Sequence, residues 1–388
     1  MNKKRRQFLQ ASIAGGAVLM TGCVRSDGEA DAPAVAHQYR PLKILILGGT
    51  GFIGPHMVRE ALRRGHQVSL FNRGRTNRNL FPDLELLVGD RDNGLDALVG
   101  HKWDAVVDNS GYVPRHVADS ATLLSSAVSH YIFVSTVGVY AAMSGNLTAA
   151  DYHGVDMPNT EYDSPLVTMP DETVEEVITE TYGPLKVLCE RAATEAMGED
   201  RITILRPTWV AGPGDKSDRF TYWPVRVSRG GEVLVPGEPT DRIQIVDARD
   251  MATFVVDSLE QKITGIYNMV NPTGTYSMGQ YMEDSLAVTA SDASLTWVDA
   301  AFVEAQGLHA GGEIPIWGPL SGDTRSDAIV NGDRSFAKGM KTRPERETIR
   351  DILAWWKTLP EDRRNNMRAG LRTEREAEML AAWHEQQA

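Results

Sequence analysis

Apolar runs that alternate with helical stretches predict an α/β protein built on a doubly wound parallel sheet, with a smaller C-terminal lobe. Three observations carry this. Residues 43–47 read Lys-Ile-Leu-Ile-Leu, the continuous apolar run of a strand buried on both faces. A glycine-rich turn, Gly48-Gly49-Thr50-Gly51-Phe52-Ile53-Gly54, follows at once and opens a helix near Pro55. Beyond Pro207 the alternation loosens into Gly212-Pro213-Gly214 and the aromatics Phe220, Tyr222 and Trp223.

The first strand and its turn say most about chemistry. Gly48 suits the tight turn, Gly51 lets backbone approach a pyrophosphate, and Gly54 lets helix pack closely on strand. The helix start offers free N–H groups and a positive dipole end to phosphates, and Pro55 is tolerated in the first turn. The expected dinucleotide cradle is therefore Gly48, Thr50, Gly51, Phe52, Ile53 and Gly54. A second strand is expected over 66–71, a third over 84–90, a fourth over 105–108, a fifth over 131–135 and a sixth over 202–206. The nucleotide-binding domain is expected over 41–207. A lobe with C-terminal helices would fill 208–388 and cover the carboxyl ends of the strands, where such sheets bind ligands.

The end of the second strand bears on cofactor choice. An acidic residue there would hold a ribose 2′-hydroxyl; this chain has Asn72, followed by Arg73 and Arg75. Guanidiniums in place of a carboxylate favour a 2′-phosphate, so NADP is preferred over NAD.

The N-terminus carries Lys3-Lys4-Arg5-Arg6-Gln7-Phe8-Leu9, which resembles a twin-arginine export signal. An apolar stretch too short to span a bilayer follows, ending in Leu19-Met20-Thr21-Gly22-Cys23, which resembles a lipoprotein cleavage box. Residues 1–23 are thus expected to be a signal, with a lipid on Cys23 as a membrane anchor. Residues 24–40 would be a polar tether, and the body a periplasmic or membrane-anchored protein. The formal charge of −12 and the lack of a basic block outside the signal argue against a nucleic-acid surface. Of two cysteines only Cys189 lies in the body, so no disulfide forms within it. The nine histidines lack metal-ligand spacing, and no metal is assigned.

Tyr182-Gly183-Pro184-Leu185-Lys186 places a phenol and an ammonium four apart, on one helical face. Pro184 fits if the helix begins near Thr181. The ammonium is expected to lower the phenol's pKa, so that Tyr182 exchanges protons with a substrate hydroxyl near neutrality. Thr136, ending the fifth strand, can bond the same hydroxyl. The spacing alone is weak, because Tyr39 and Lys43 repeat it just before the first strand.

With these pieces the chain resembles an extended short-chain dehydrogenase/reductase of the NAD-dependent epimerase/dehydratase group, with its Rossmann fold, from about Leu42 to near Trp356. The resemblance rests on Gly48–Gly54, Asp90, Phe133–Thr136 with Val139-Tyr140, Tyr182/Lys186, Leu205-Arg206-Pro207 and Gln244–Asp250. It implies that Asp90 holds the adenine, Lys186 the nicotinamide ribose, Tyr182 acts as acid/base and Thr136 assists. It also implies that part of 243–270 returns to the nucleotide-binding domain. Sugar-nucleotide dehydratases resemble one another in a Thr-Asp-Glu run at the fifth strand; here Val137 and Gly138 follow Thr136, which counts against dehydration. The roughly forty residues from Tyr140 to Tyr182, including the acidic stretch 171–176, are expected to form a substrate-covering loop and a solvated helix.

The expected function is that of an NAD(P)-dependent epimerase or oxidoreductase acting at a hydroxyl-bearing carbon of a sugar-like substrate, with tightly held cofactor. A conventional NADP-dependent reductase is one alternative. A non-catalytic nucleotide-fold binding protein, like the chloroplast stem-loop RNA-binding relatives of the group, is another. The Tyr182/Lys186 pair, the acidic charge and the export signal all disfavour the binding protein.

Overall fold

A computed structural model describes residues 39–141, 160–308, 312–318 and 330–388. The signal, the lipobox cysteine and most of the tether lie outside the described residues. The strands are β1 Lys43–Leu47, β2 Gln67–Asn72, β3 Glu85–Val88, β4 Ala105–Asp108, β5 His130–Val134 and β6 Ile202–Pro207; β7 Trp209–Ala211, β8 Glu232–Pro236, β9 Ile245–Asp247, β10 Gly265–Met269 and β11 Ser294–Val298 follow. The helices are α1 Gly54–Arg63, α2 Pro114–Leu124, α3 Thr179–Met197, α4 Tyr222–Ser228, α5 Ala248–Gln261 and α6 Met278–Thr289; α7 Ala300–Ala305, α8 Asp333–Ala337, α9 Glu345–Lys357, α10 Glu361–Asn365 and α11 Thr373–Gln387 complete the chain.

Seven parallel strands form the main sheet in the order β10-β6-β5-β4-β1-β2-β3. This is the doubly wound arrangement expected from the alternating pattern. Ile44 and Ile46 pack on α1 and α5, and Leu45 and Leu47 pack on the α2/α3 side. Both faces are buried, which is why the strand is apolar at every position after Lys43. Expected strand ends move by a few residues: β3 is only Glu85–Val88, and β5 starts at His130.

β10, far along the chain, pairs with β6 and completes the sheet. The lobe rests on two small parallel pairs, β8–β11 and β7–β9. Its core is rich in aromatics, with Trp223, Tyr281, Phe302 and Trp317 buried together. Among the described residues no helix is long and apolar enough to cross a membrane.

Two expectations fail here. The acidic stretch 171–176 is an exposed loop, not a helix. Asp171 folds back on the Thr173 N–H and hydroxyl, and such local bonds compete with helix formation. Its carboxylates Glu175 and Glu172 pair outward with Arg115 and Arg191. The helix that carries Tyr182 begins at Thr179 rather than Thr181, so Pro184 lies inside it, beyond the first turn. The early start is fixed by Thr181, whose hydroxyl accepts the Ile178 N–H at 3.0 Å.

Candidate active site

The glycine turn is closed on two sides and open on one. Gly48 has φ +89°, and a side chain there would collide with Ser110 at 2.7 Å. A Cβ on Gly54 would sit 2.5 Å from the Gly48 carbonyl oxygen, so only glycine lets α1 meet β1 this closely. At Gly51 nothing among the described residues lies within 4 Å of that position. Thr50 is buried and its carbonyl accepts from Asn77 at 3.0 Å. Ile53 precedes α1 without a side-chain cap; Pro55 has no N–H and His56 donates to the Ile53 carbonyl at 3.0 Å, so the Gly54 N–H is the first helical donor left for a ligand. Phe52 meets the His56 ring edge-on, and the His56 imidazole bonds the Pro213 carbonyl at 2.9 Å.

At the end of β2 the Asn72 carboxamide oxygen accepts the Gly74 N–H at 2.8 Å, and its amide nitrogen is buried without a partner among the described residues. Arg73 and Arg75 are exposed. Asp90 follows β3 in a short bridge to Gly94 and accepts the Asp92 N–H at 3.2 Å. The open space at Gly51, the uncapped helix and the orphaned Asn72 amide together fit a phosphate-bearing nucleotide.

Thr136, Tyr182 and Lys186 come together at the carboxyl edge of β5. Thr136 caps the short turn 137–139 and its hydroxyl accepts the Gly138 N–H at 3.1 Å. Thr136 is close enough to the Tyr182 phenol to lower its pKa. Gly183 makes the approach feasible: a Cβ there would lie 2.3 Å from the Gly138 carbonyl oxygen. Lys186 is buried and donates to the carbonyls of Gly111 at 2.6 Å and Val134 at 2.7 Å. Its ammonium stands 4.1 Å above the centre of the Phe133 ring.

The expected electrostatics of the pair are overturned. Burial pushes the Tyr182 phenol up to about 12, with the Tyr112 phenol adding to the rise. The Thr136 hydrogen bond and the Arg219 charge pull it the other way without winning. Lys186 turns inward to the two carbonyls, and burial brings it down to about 8.

Sequence reasoning missed several neighbours. Arg91 and Asp108 form a buried two-pronged pair at 2.6 and 2.8 Å, and Tyr131 donates to Asp108 at 2.8 Å. Asp108 also accepts the Ser110 N–H at 3.2 Å, which steadies the segment presenting the Gly111 carbonyl to Lys186. Tyr112, nearly half exposed, has its ring 6.4 Å from that of Tyr182. Isolated Tyr, Gly and Arg residues carry no spacing signal; only the Asp-Arg order after β3 hinted at Arg91.

A nucleotide cradle and a Tyr/Lys pair on one sheet edge define a nucleotide-dependent enzyme site of the short-chain dehydrogenase kind. The profile of the NAD dependent epimerase/dehydratase family matches residues 44–270, and the chain belongs to that family. It is 26% identical over 245 residues to the chloroplast stem-loop binding protein of 41 kDa b of Arabidopsis thaliana. That match spans 58% of each chain, so the chain covers little more than half of this relative's length. It is 22% identical to the UDP-glucose 4-epimerase of Lactobacillus helveticus over 82% of this chain and 98% of that one. The Bordetella bronchiseptica enzyme WbmG, solved in complex with NAD, superposes with a TM-score of 0.57 at 18% identity. That superposition covers 83% of this chain and 96% of WbmG and shows a shared fold.

Proposed function

We propose that the protein is an NAD(P)-dependent epimerase or oxidoreductase acting at a hydroxyl-bearing carbon of a sugar-like substrate, and that it keeps its cofactor through the cycle. The observation that carries this reading is the gathering of Thr136, the Tyr182 helix and a buried Lys186 at one sheet edge, the edge where the glycine turn opens. The epimerase relative supports the substrate class, and the stem-loop binding relative is the rival, disfavoured by the formal charge of −12.

When bound, the nicotinamide supplies hydride transfer. The chain's own residues handle the proton and the geometry. With its pKa near 12, Tyr182 rests as a neutral phenol and is set to donate to a substrate oxygen. Accepting a substrate proton requires that pKa to fall, and Arg219 and the Thr136 hydrogen bond already act in that direction. Lys186 has spent two N–H groups on carbonyls and keeps a third for the ribose. Asn72, Arg73 and Arg75 would line the adenine ribose and favour NADP, and Asp90 would meet the adenine.

The export signal bears on the kind of turnover. A twin-arginine substrate crosses the membrane folded and can carry its nucleotide along. Outside the inner membrane no NAD(P)H pool is replenished, so the chemistry that survives returns the hydride within one cycle. Dialysed protein should therefore stay active without added nucleotide, the transferred hydrogen remaining in the product. Activity that vanishes on dialysis and returns only with stoichiometric NAD(P) would favour a conventional reductase.

A further inference from the structure

We propose that the substrate carries an oxyanion, a carboxylate or a phosphate, close to its reacting carbon, and that Arg219 holds it. This rests on the reading of Tyr182 as the reacting residue. The argument begins with the loop 212–219 between β7 and α4. Gly212 and Gly214 have φ of +136° and +95°, which lets the chain turn back over the sheet edge. The Pro213 carbonyl is tied to His56, and the Cβ position of Gly214 lies 3.6 Å from the Phe52 ring. One end of the loop is therefore fixed to the glycine turn. At the other end the buried Asp218 takes an Arg363 N–H and the Arg368 backbone N–H, tying the loop to the C-terminal segments.

Between these anchors Arg219 lays its guanidinium over the Trp209 ring, 4.3 Å from the centre. Trp209 stands two residues beyond Pro207, the last residue of β6, which pairs with β5, the strand that ends at Val134 just before Thr136. The Arg219 Nε donates to Ser217 Oγ at 3.2 Å. Its two terminal nitrogens have no hydrogen-bond acceptor and no ion-pair partner among the described residues. Arg226, Arg249, Arg343 and Arg363 of the same lobe are each bound to a carboxylate. Asp215 is the carboxylate nearest in effect, but its Oδ1 is taken by the Ser217 N–H and hydroxyl.

One face of the guanidinium is covered by indole and Nε is engaged. What is left is the edge with two parallel N–H groups, the shape that meets a carboxylate or phosphate with two hydrogen bonds. The residue is exposed, so a ligand can reach it. Trp209 follows the end of β6, which pairs with β5, and the β5 end holds Lys186, so an anion held by Arg219 lies on the sheet edge of the reacting group. A substrate oxyanion there would fix which hydroxyl faces Tyr182.

The test uses full-length protein loaded with NAD(P) and three probes: glucuronate, glucose 6-phosphate and glucose, measured by calorimetry. At least one acidic sugar should bind about ten-fold or more tighter than glucose, the range of charged hydrogen bonds. Whether glucuronate or glucose 6-phosphate is preferred identifies the oxyanion. Arg219→Gln should erase the preference and Arg219→Lys should keep part of it, with nucleotide content and melting temperature unchanged. Equal binding of all three probes, binding of none, or a preference that survives Arg219→Gln overturns the proposal. The catalytic reading is tested separately, by whether reduced nicotinamide forms on the protein and depends on Tyr182, so either can fail alone.

Discussion

Two buried ion pairs beneath the site in the nucleotide-binding half join residues close in sequence, Arg91 and Asp108 being 17 apart and Arg206 and Glu190 16 apart, while Arg64 on α1 reaches 196 residues to Glu260 on α5. In the lobe the corresponding pairs reach across the chain: Arg363 to Asp218 spans 145 residues and Arg226 to Glu376 spans 150. The first set ties strands to the helices and loops beside them, under the site. The second set clamps α10 and α11 back onto the loop 212–219, which carries Arg219, and onto α4 behind it. The core beneath the site is thus held by local pairs, whereas the lobe, like the α1–α5 contact, depends on long loop closures that are costly to form.

The largest expected effect tests the half that holds the proposed Tyr182/Lys186 pair. Tyr182→Phe keeps the ring and removes the exchangeable proton, so turnover should fall by about 10²–10⁴-fold. Thr136→Val should cost less, because it removes one supporting bond. Near-wild-type turnover in Tyr182→Phe would mean that the proton travels by another group.

Next come the ion pairs themselves. Glu190→Ala strands the buried Arg206, and Glu376→Ala strands the largely buried Arg226; each should cost roughly 3–5 kcal/mol of stability. The location of the damage should differ. Amide exchange in Glu376→Ala should quicken over 222–236 and 373–387 while β1, β4 and β5 stay protected. Equal loosening of both regions would show that the halves unfold together.

Acid should strike the nucleotide half through His130. Its ring bonds Thr203 at 2.7 Å, and Thr203 in turn donates to the Ile263 carbonyl, so Nδ1 is left buried with no partner among the described residues. Burial lowers its pKa from 6.5 to about 4. A lowered pKa means that the unfolded chain takes up the proton first, so stability falls as pH drops from about 6.5 toward 4. The loss is on the order of 3 kcal/mol when complete. Urea melts of the wild type and His130→Leu across that range should converge at the acid end. Parallel pH curves for the two proteins would remove His130 from the account.

How far these features could be read in advance follows the same division. The parallel strands, the glycine turn and the Tyr182/Lys186 spacing are local patterns whose geometry follows from a few adjacent residues. The Asp218–Arg363 and Glu376–Arg226 clamps are not, since nothing in either segment names the other. Arg219 acquires meaning only when the loop 212–219 is seen folded over Trp209. Even a local reading failed where tertiary context decided the outcome. Spacing put Lys186 beside Tyr182, but the carbonyls of Gly111 and Val134 took its ammonium, and burial rather than charge set the phenol's pKa.

The smallest effect concerns cofactor choice, on a surface that both the local pattern and the fold leave open. Asn72 spends its oxygen on the Gly74 N–H, which holds the turn that displays Arg73 and Arg75 to solvent. A 2′-phosphate arriving there would gain charged hydrogen bonds at the cost of ordering two flexible side chains. NADP should therefore bind more tightly than NAD by only about 1–3 kcal/mol. Titration of nucleotide-free protein with each cofactor measures the gap, which should shrink as salt is raised because the arginines are exposed. Arg73→Ala with Arg75→Ala should bring the two affinities together without weakening NAD. Asn72→Asp should go further and reverse the order, since a carboxylate would repel the phosphate and accept from the ribose hydroxyl instead. Equal affinities in the wild type would mean that these arginines serve only solvent, and that the glycine turn and Asp90 carry the recognition without them.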